Sequence, residues 1–276
     1  MEQMSTGWAI TFAIVLASMT IRSLIVVGAA FAWYNASSFA QRRRVYRVAY
    51  GEGQIGSELR SAVTVIAFDA LLLSTVRHFD LIGYAPEPGL TTFAGTFLLV
   101  FLTTEVWFYV THRAMHHKAL FWIHRQHHTA KVTDPLTSLS FSILERAILI
   151  GGILGFAGAV SHVFPLSMTG LIAAGLSNYV LNVLGHSNVE FIPERVATSR
   201  IGRVFITPSY HAMHHARFRG HYGLFTTVLD SWFSTRFEDY EQVYARARAG
   251  QGLDRLGERV GNGPRASRRA AAGAVS

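Results

Sequence analysis

Four or five stretches of this chain approach the ~20 apolar residues that a helix needs to cross a hydrocarbon core about 30 Å thick. They fall at residues 7–34, 61–76, 91–110, 147–160 and 164–183. Half of the 276 residues are hydrophobic and only 15% are charged, too greasy for an ordinary soluble domain of this length. The last two stretches are short or glycine-rich and are divided by Ser161-His162-Val163-Phe164-Pro165, so they read as a tight hairpin that need not cross completely. No basic residue precedes Arg22, so the charged start of a cleavable signal peptide is missing and the first stretch is expected to stay as an anchor. The fold class that follows is all-α, a multi-pass membrane bundle with a helical cap.

Arg22 lies inside the first stretch, where a charge at the bilayer centre costs about 2.5–3.5 kcal/mol on insertion scales. Two readings stay open: a guanidinium snorkelling to the interface, or an internal charge facing the bundle. Orientation follows from the cations. Arg42, Arg43, Arg44 and Arg47 follow the first stretch, and Arg113, Lys118, Arg125 and Lys131 follow the third. Seven arginines from Arg246 to Arg269 lie in the tail. The turn at residues 79–90 has Asp80 and Glu87 without Lys or Arg. The positive-inside rule then puts the N-terminus outside and the tail and the arginine-rich loop in the cytoplasm. His78 and His162 fall toward the outer side, and the other eleven histidines gather on the cytoplasmic side. From about Gly250 the tail is poor in bulky apolar residues and is expected to be disordered, available for electrostatic contact with anionic lipid.

The net charge of +8 is accounted for by headgroups, since the cations flank apolar runs and no nucleic-acid motif is present. There is no cysteine, so any metal must be held by His, Asp or Glu. His112 and His116 are four apart and share a helical face with Tyr109 and Glu105 one and two turns back, in what reads as one helix continuing the third stretch to His117. His124-Arg-Gln-His127-His128 has spacing that lets two imidazoles share a face while the adjacent one turns aside, enough to serve two neighbouring metals. His211-Ala-Met-His214-His215 repeats that pattern. Eight or nine imidazoles exceed the four ligands usual for one zinc, which implies two ions, and imidazole alone does not choose among Zn, Cu, Fe and Ni. The pairs Arg125-Gln126 and Ala212-Met213 leave no Glu between histidines, against a zinc peptidase of the H-E-x-x-H kind. A non-enzymatic metal-binding or metal-transport membrane protein is the rival class, although the spans hold few ionisable residues to make a path.

These residues resemble the fatty acid hydroxylase / sterol desaturase superfamily of membrane di-iron oxygenases. The resemblance runs over residues 92–240. It rests on Glu105, Tyr109 and His112-Arg113-Ala114-Met115-His116, with Glu for the commoner Asp, and on Trp122-Ile-His124-Arg-Gln-His127-His128. It continues in His186-Ser187-Asn188, in Thr207-Pro208-Ser-Tyr-His211-Ala-Met-His214-His215, and in His221-Tyr222-Gly223 and Leu229-Asp230-Ser-Trp-Phe233-Ser234-Thr235. His221 stands where the family usually has Asn, Leu229 where it has Trp and Ser234 where it has Gly. His221 is either an additional metal ligand or a residue behind the ligands, and His117 reads as a surface residue.

The resemblance implies a catalytic region at residues 91–245, between N-terminal spans with a basic loop at 1–90 and a basic disordered tail at 246–276. It implies two iron ions, with zinc possible as purified, held by His112, His116, His124, His127, His128, His186, His211, His214 and His215. Glu105 or Asp230 would hold imidazole tautomers, with Tyr109 in the same catalytic set, and a helix cap or surface charge is the other reading of Asp230. Substrates would be O2 and an aliphatic C–H bond of a fatty acyl, sterol-like or other lipid, giving an alcohol or an alkene. No cytochrome or flavin domain is visible, so electrons are expected from a separate ferredoxin or cytochrome b5-type protein.

Overall fold

A computed structural model describes residues 2–86 and 88–261, with side chains from residue 7 onward. In chain order the α-helices are α1 (Glu2–Ala36), α2 (Ser38–Arg42), α3 (Gln54–His78), α4 (Leu90–Met115), α5 (Phe121–His124), α6 (Ile143–Ser161), α7 (Met168–Gly185), α8 (Glu194–Ala197), α9 (Pro208–Arg217), α10 (Val228–Trp232) and α11 (Tyr240–Arg248). Short 3₁₀ turns occupy His127–Thr129, Pro135–Leu139 and Gly202–Val204, and no β-strand forms among the described residues. Five helices, α1, α3, α4, α6 and α7, are long and apolar enough to cross a membrane. The hairpin helices α6 and α7 have 19 and 18 residues, about 27–29 Å at 1.5 Å per residue, so both are continuous helices close to the thickness of a hydrocarbon core.

Small residues set how closely these helices approach. A Cβ at Gly152 of α6 would run into the Trp107 indole of α4, whose Nε1–H donates to the Ile148 carbonyl at 3.0 Å. At Gly170 of α7 a Cβ would lie 2.8 Å from the Phe93 carbonyl, so α4 is gripped on two sides. Serine caps start both hairpin helices: the Ser142 hydroxyl accepts from the Glu145 amide and Ser167 from that of Gly170, each at 3.1 Å.

Polar side chains inside the spans face one another. Arg146 forks onto Asp69 with bonds of 2.7–3.1 Å, tying α6 to α3. Arg22 settles on the second of its two readings: its guanidinium lies 3.8 Å above the Tyr179 ring of α7, and the Tyr179 hydroxyl bonds Ser23. This cation turns into the bundle.

Over one end of the bundle sits the cap, formed by residues 116–142 and 186–261. The expected disorder from about Gly250 does not hold as far as residue 261. Leu253 is fully buried, its amide donates to the Val45 carbonyl at 2.7 Å, and its own carbonyl accepts from Arg47. Leu253 belongs to the cluster of Tyr210, Met213 and Val243, Leu256 and Val260 pack against it, and Glu258 pairs with Arg246, so a segment whose composition reads as solvated is bound to the cap. The remaining tail, 262–276, lies outside the described residues.

Candidate metal centre

The third apolar helix stops at Met115, so His112 lies in the last turn of α4 and His116 caps its end. The stretch from His124 to His128 is not one continuous α-helix, although His124 and His128 still point one way and His127 another, as the spacing implies. It breaks between α5 and a 3₁₀ turn, where Gln126 bonds the Ser57 and Ser140 hydroxyls. Thr207-Pro208 starts α9, with proline at a first-turn position where no amide hydrogen is needed, and α9 carries His211, His214 and His215. Glu190 faces this start, accepting from the Ser209 amide at 3.2 Å.

Nine imidazoles converge as two groups. His112, His116, His124, His128 and His214 form one; His127, His186, His211 and His215 form the other. Within each, the potential ligand atoms lie within 4.8 Å of one another. The two H-x-x-H-H segments are thus split in opposite senses. The first sends its outer pair to the five-histidine group and its middle residue to the four-histidine group, and the second does the reverse. Only His116 in either group is not fully buried.

Six of the nine rings are anchored through Nδ1. His112 donates to the Tyr222 carbonyl, His127 to Ser140, His186 to Asn182, His214 to Gly220 and His215 to Ala130, at 2.8–3.0 Å. His124 donates to the Glu145 carboxylate at 2.6 Å. An Nδ1–H tautomer leaves a lone pair on Nε2, and it is the Nε2 atoms that meet. That of His116 lies 3.1–3.3 Å from those of His112, His128 and His214 at once. In the other group, His186 Nε2 is 3.3 Å from His127 and 2.8 Å from His211, and His211 is 3.2 Å from His215. Such contacts are not hydrogen bonds, because one N–H cannot serve three acceptors and the anchored rings have none to give there. Ligands about 2.0–2.1 Å from a common ion would stand roughly 3 Å apart, which is the spacing observed. His124 Nε2 is buried with no partner at all, aimed into the five-histidine group. The donor set therefore fits a metal ion in each group.

Electrostatics agree. Burial, reinforced by neighbouring imidazoles, pushes His127, His128, His211 and His215 well below the usual histidine range. Burial likewise lowers His186 to about 4 and His214 to about 3. All are neutral, as metal ligation requires.

The carboxylates expected behind the ligands do different work. Glu105 touches no histidine; it accepts from the amides of Phe225 and Thr226, both at 2.9 Å, because two turns before His112 its side chain reaches that loop first. Asp230, fully buried, accepts from the amides of Tyr222 and Gly223 and from the Thr235 hydroxyl, so it steadies the peptide whose carbonyl holds His112. Tyr109 bonds Thr235 and Arg113, not an imidazole. The carboxylate that does bind a candidate ligand is Glu145, which the sequence reading missed; its only signal was an acid at the start of a hydrophobic helix.

His221 lies outside both groups. Its Nδ1–H donates to the Tyr210 carbonyl, its Nε2 accepts from the Phe237 amide, and its ring stacks on Tyr210 at 3.4 Å, so no nitrogen is free for a metal. His117 is exposed. His78 and His162 end α3 and α6 at the opposite end of the bundle, where Gly83 bonds Ser161 and Leu166.

Comparison with known proteins bears on the same residues. The family model for fatty acid hydroxylase matches residues 97–235. Among curated proteins, very-long-chain aldehyde decarbonylase GL1-6 of Oryza sativa subsp. indica is 31% identical over 152 residues, which cover 53% of this chain and 24% of that protein. Very-long-chain aldehyde decarbonylase CER1 of Arabidopsis thaliana is 32% identical over 148 residues, covering 51% and 23%. The chain thus spans about a quarter of the length of these relatives. No solved structure matches it.

Proposed function

The chain belongs to the fatty acid hydroxylase family, and from that membership we propose that it is a membrane-bound di-iron oxygenase that oxidises an aliphatic C–H bond of a lipid with O2 and external electrons. The observation that carries this reading is the pair of buried histidine groups with Nε2 atoms about 3 Å apart and six of the nine Nδ1 atoms anchored behind them. When bound there, two iron ions supply the redox chemistry that zinc lacks. His112, His116, His124, His128 and His214 would hold one, and His127, His186, His211 and His215 the other. Residues 91–245 are the catalytic region in this scheme.

The protein's own contribution is placement. Backbone carbonyls and Glu145 fix six of the nine imidazoles in one tautomer and orientation, which raises their basicity and removes the freedom to swing away. Rings held on two sides suit a resident centre rather than a transport path. The apolar walls around the groups, including Phe121, Phe141 and Phe218 against His116, His127 and His128, exclude water and favour a hydrocarbon. Electrons come from a separate ferredoxin or cytochrome b5-type donor.

The names of the relatives favour a second reading, in which the substrate is a long-chain aldehyde. Purified protein reconstituted with iron, a reductant and 18O2, followed by mass spectrometry of lipid products, tests both. An alcohol carrying 18O or an alkene supports oxidation of the chain. An alkane one carbon shorter than an added aldehyde supports the second reading, and turnover unaffected by removal of iron refutes the proposal.

A further inference from the structure

Two short segments of the cap do not sit above the spans but beside α4. Residues 225 and 226 are bound by Glu105, and the Phe225 ring stacks on Phe101 at 5.8 Å. At 1.5 Å per residue, Glu105 and Phe101 lie roughly 10 and 16 Å along α4 before His112, well within the apolar helix. Residues 204–206 pair with this loop, the Ile206 amide donating to the Phe225 carbonyl and the Thr227 amide to that of Val204. Phe233, just past α10, stacks on Tyr109 at 5.6 Å.

The outer surface of these segments is apolar. Ile201 is 75% exposed, Trp232 76%, Phe233 55% and Phe205 47%, and Leu102 and Val106 of α4, next to Phe101 and Glu105, are exposed too. Irregular backbone survives at membrane depth only when its polar groups are satisfied internally, and here every amide of residues 202–206 and 225–227 has a partner. Besides the bonds above, Val204 donates to Ile201, Phe205 to Gly202, Ser231 to Thr227 and Phe233 to Leu229, while the Thr227 hydroxyl takes the Arg203 carbonyl. Glu105 thereby removes two amides from hydrocarbon. Arg200 and Arg203 are exposed and long enough to reach back to headgroups.

A line of aromatic rings leads inward from this surface. Phe233 meets Tyr109, Tyr109 meets Tyr222 at 6.3 Å, and Tyr222 lies 5.2 Å from His116, the one candidate ligand that is not fully buried. We infer that residues 201–206 and 225–233 form a lip immersed in the acyl-chain region of the bilayer, and that its Phe233–Tyr109–Tyr222 edge is the lateral entrance by which a lipid reaches the five-histidine group. The inference rests on the proposed function only in taking a lipid as the substrate.

The absence of cysteine makes the test direct. Nitroxide labels at Ile201→Cys and Trp232→Cys, in protein reconstituted into lipid nanodiscs, should favour collision with oxygen over a water-soluble nickel chelate, as a label at Leu102→Cys does. A label at Asp254→Cys should show the opposite preference. If the labels at 201 and 232 behave like the one at 254, the lip does not enter the membrane. For the entrance, a diazirine-bearing fatty acyl lipid should crosslink at Tyr109 and Phe233, and Phe233→Asp should abolish the crosslink at Tyr109 while metal content is kept. Crosslinks confined to α1 and α3, or unchanged at Tyr109 in the variant, overturn the entrance. Neither readout needs turnover, so a protein that oxidises no lipid would refute the proposed reaction without deciding the lip.

Discussion

His221 has φ of +57°, in the left-handed region that Asn and Gly tolerate better than most residues. That geometry gives a physical reason for the asparagine common at this place, and His221→Asn should keep full metal content. His186→Ala should lose metal as completely as His128→Ala or His215→Ala, whereas His78→Ala and His162→Ala should keep it; metal analysis of purified variants decides. Loss of iron from His162→Ala with retention in His186→Ala would break the scheme. The ligand types and their i, i+4 pairing were legible in the sequence because helical periodicity is local. Glu145 was not, since it meets His124 across 21 residues and two elements. Glu105 and Asp230 were visible as acids, but their partners are backbone amides, which leave no mark in a sequence.

At the scale of elements, hydropathy located all five long helices but blurred their ends, as at Met115, because hydropathy fades where a helix leaves the bilayer while its hydrogen bonds continue or stop on local grounds. The break at His124–His128 was hidden for the same reason: the spacing is helical even where Gln126 holds the chain in a turn. Packing between helices makes a sharper prediction. Gly152→Leu forces Trp107 away and should destabilise the protein by about 1–3 kcal/mol, the usual range for overpacking. Gly155→Ala, three residues on in the same helix with nothing within 4 Å, should be neutral. Thermal unfolding in one detergent compares them, and equal midpoints would show that the α4–α6 contact is not tight.

For the whole molecule, we propose that the cap is cytoplasmic, on the strength of Arg42, Arg43, Arg44, Arg113, Lys118 and Arg125 gathering at that end of the bundle. A reporter fused after Ser276 and a tag inserted near Gly51 should both be cytoplasmic, and a tag near Pro86 should lie outside; an external reporter at Ser276 would invert the orientation. Residues 250–261 show where composition fails at this scale, since a few apolar residues, Leu253, Leu256 and Val260, together with the Glu258–Arg246 pair, hold a segment rich in arginine and glycine. The opposed splitting of the two H-x-x-H-H segments also sets an order of events during synthesis. Each group takes ligands from the early segment and from α9, so neither is complete until translation has passed His214 and His215. By then the last of the five long helices, ending at Gly185, has already been made. If each group holds a metal, neither has its full set of ligands until all five long helices have been made.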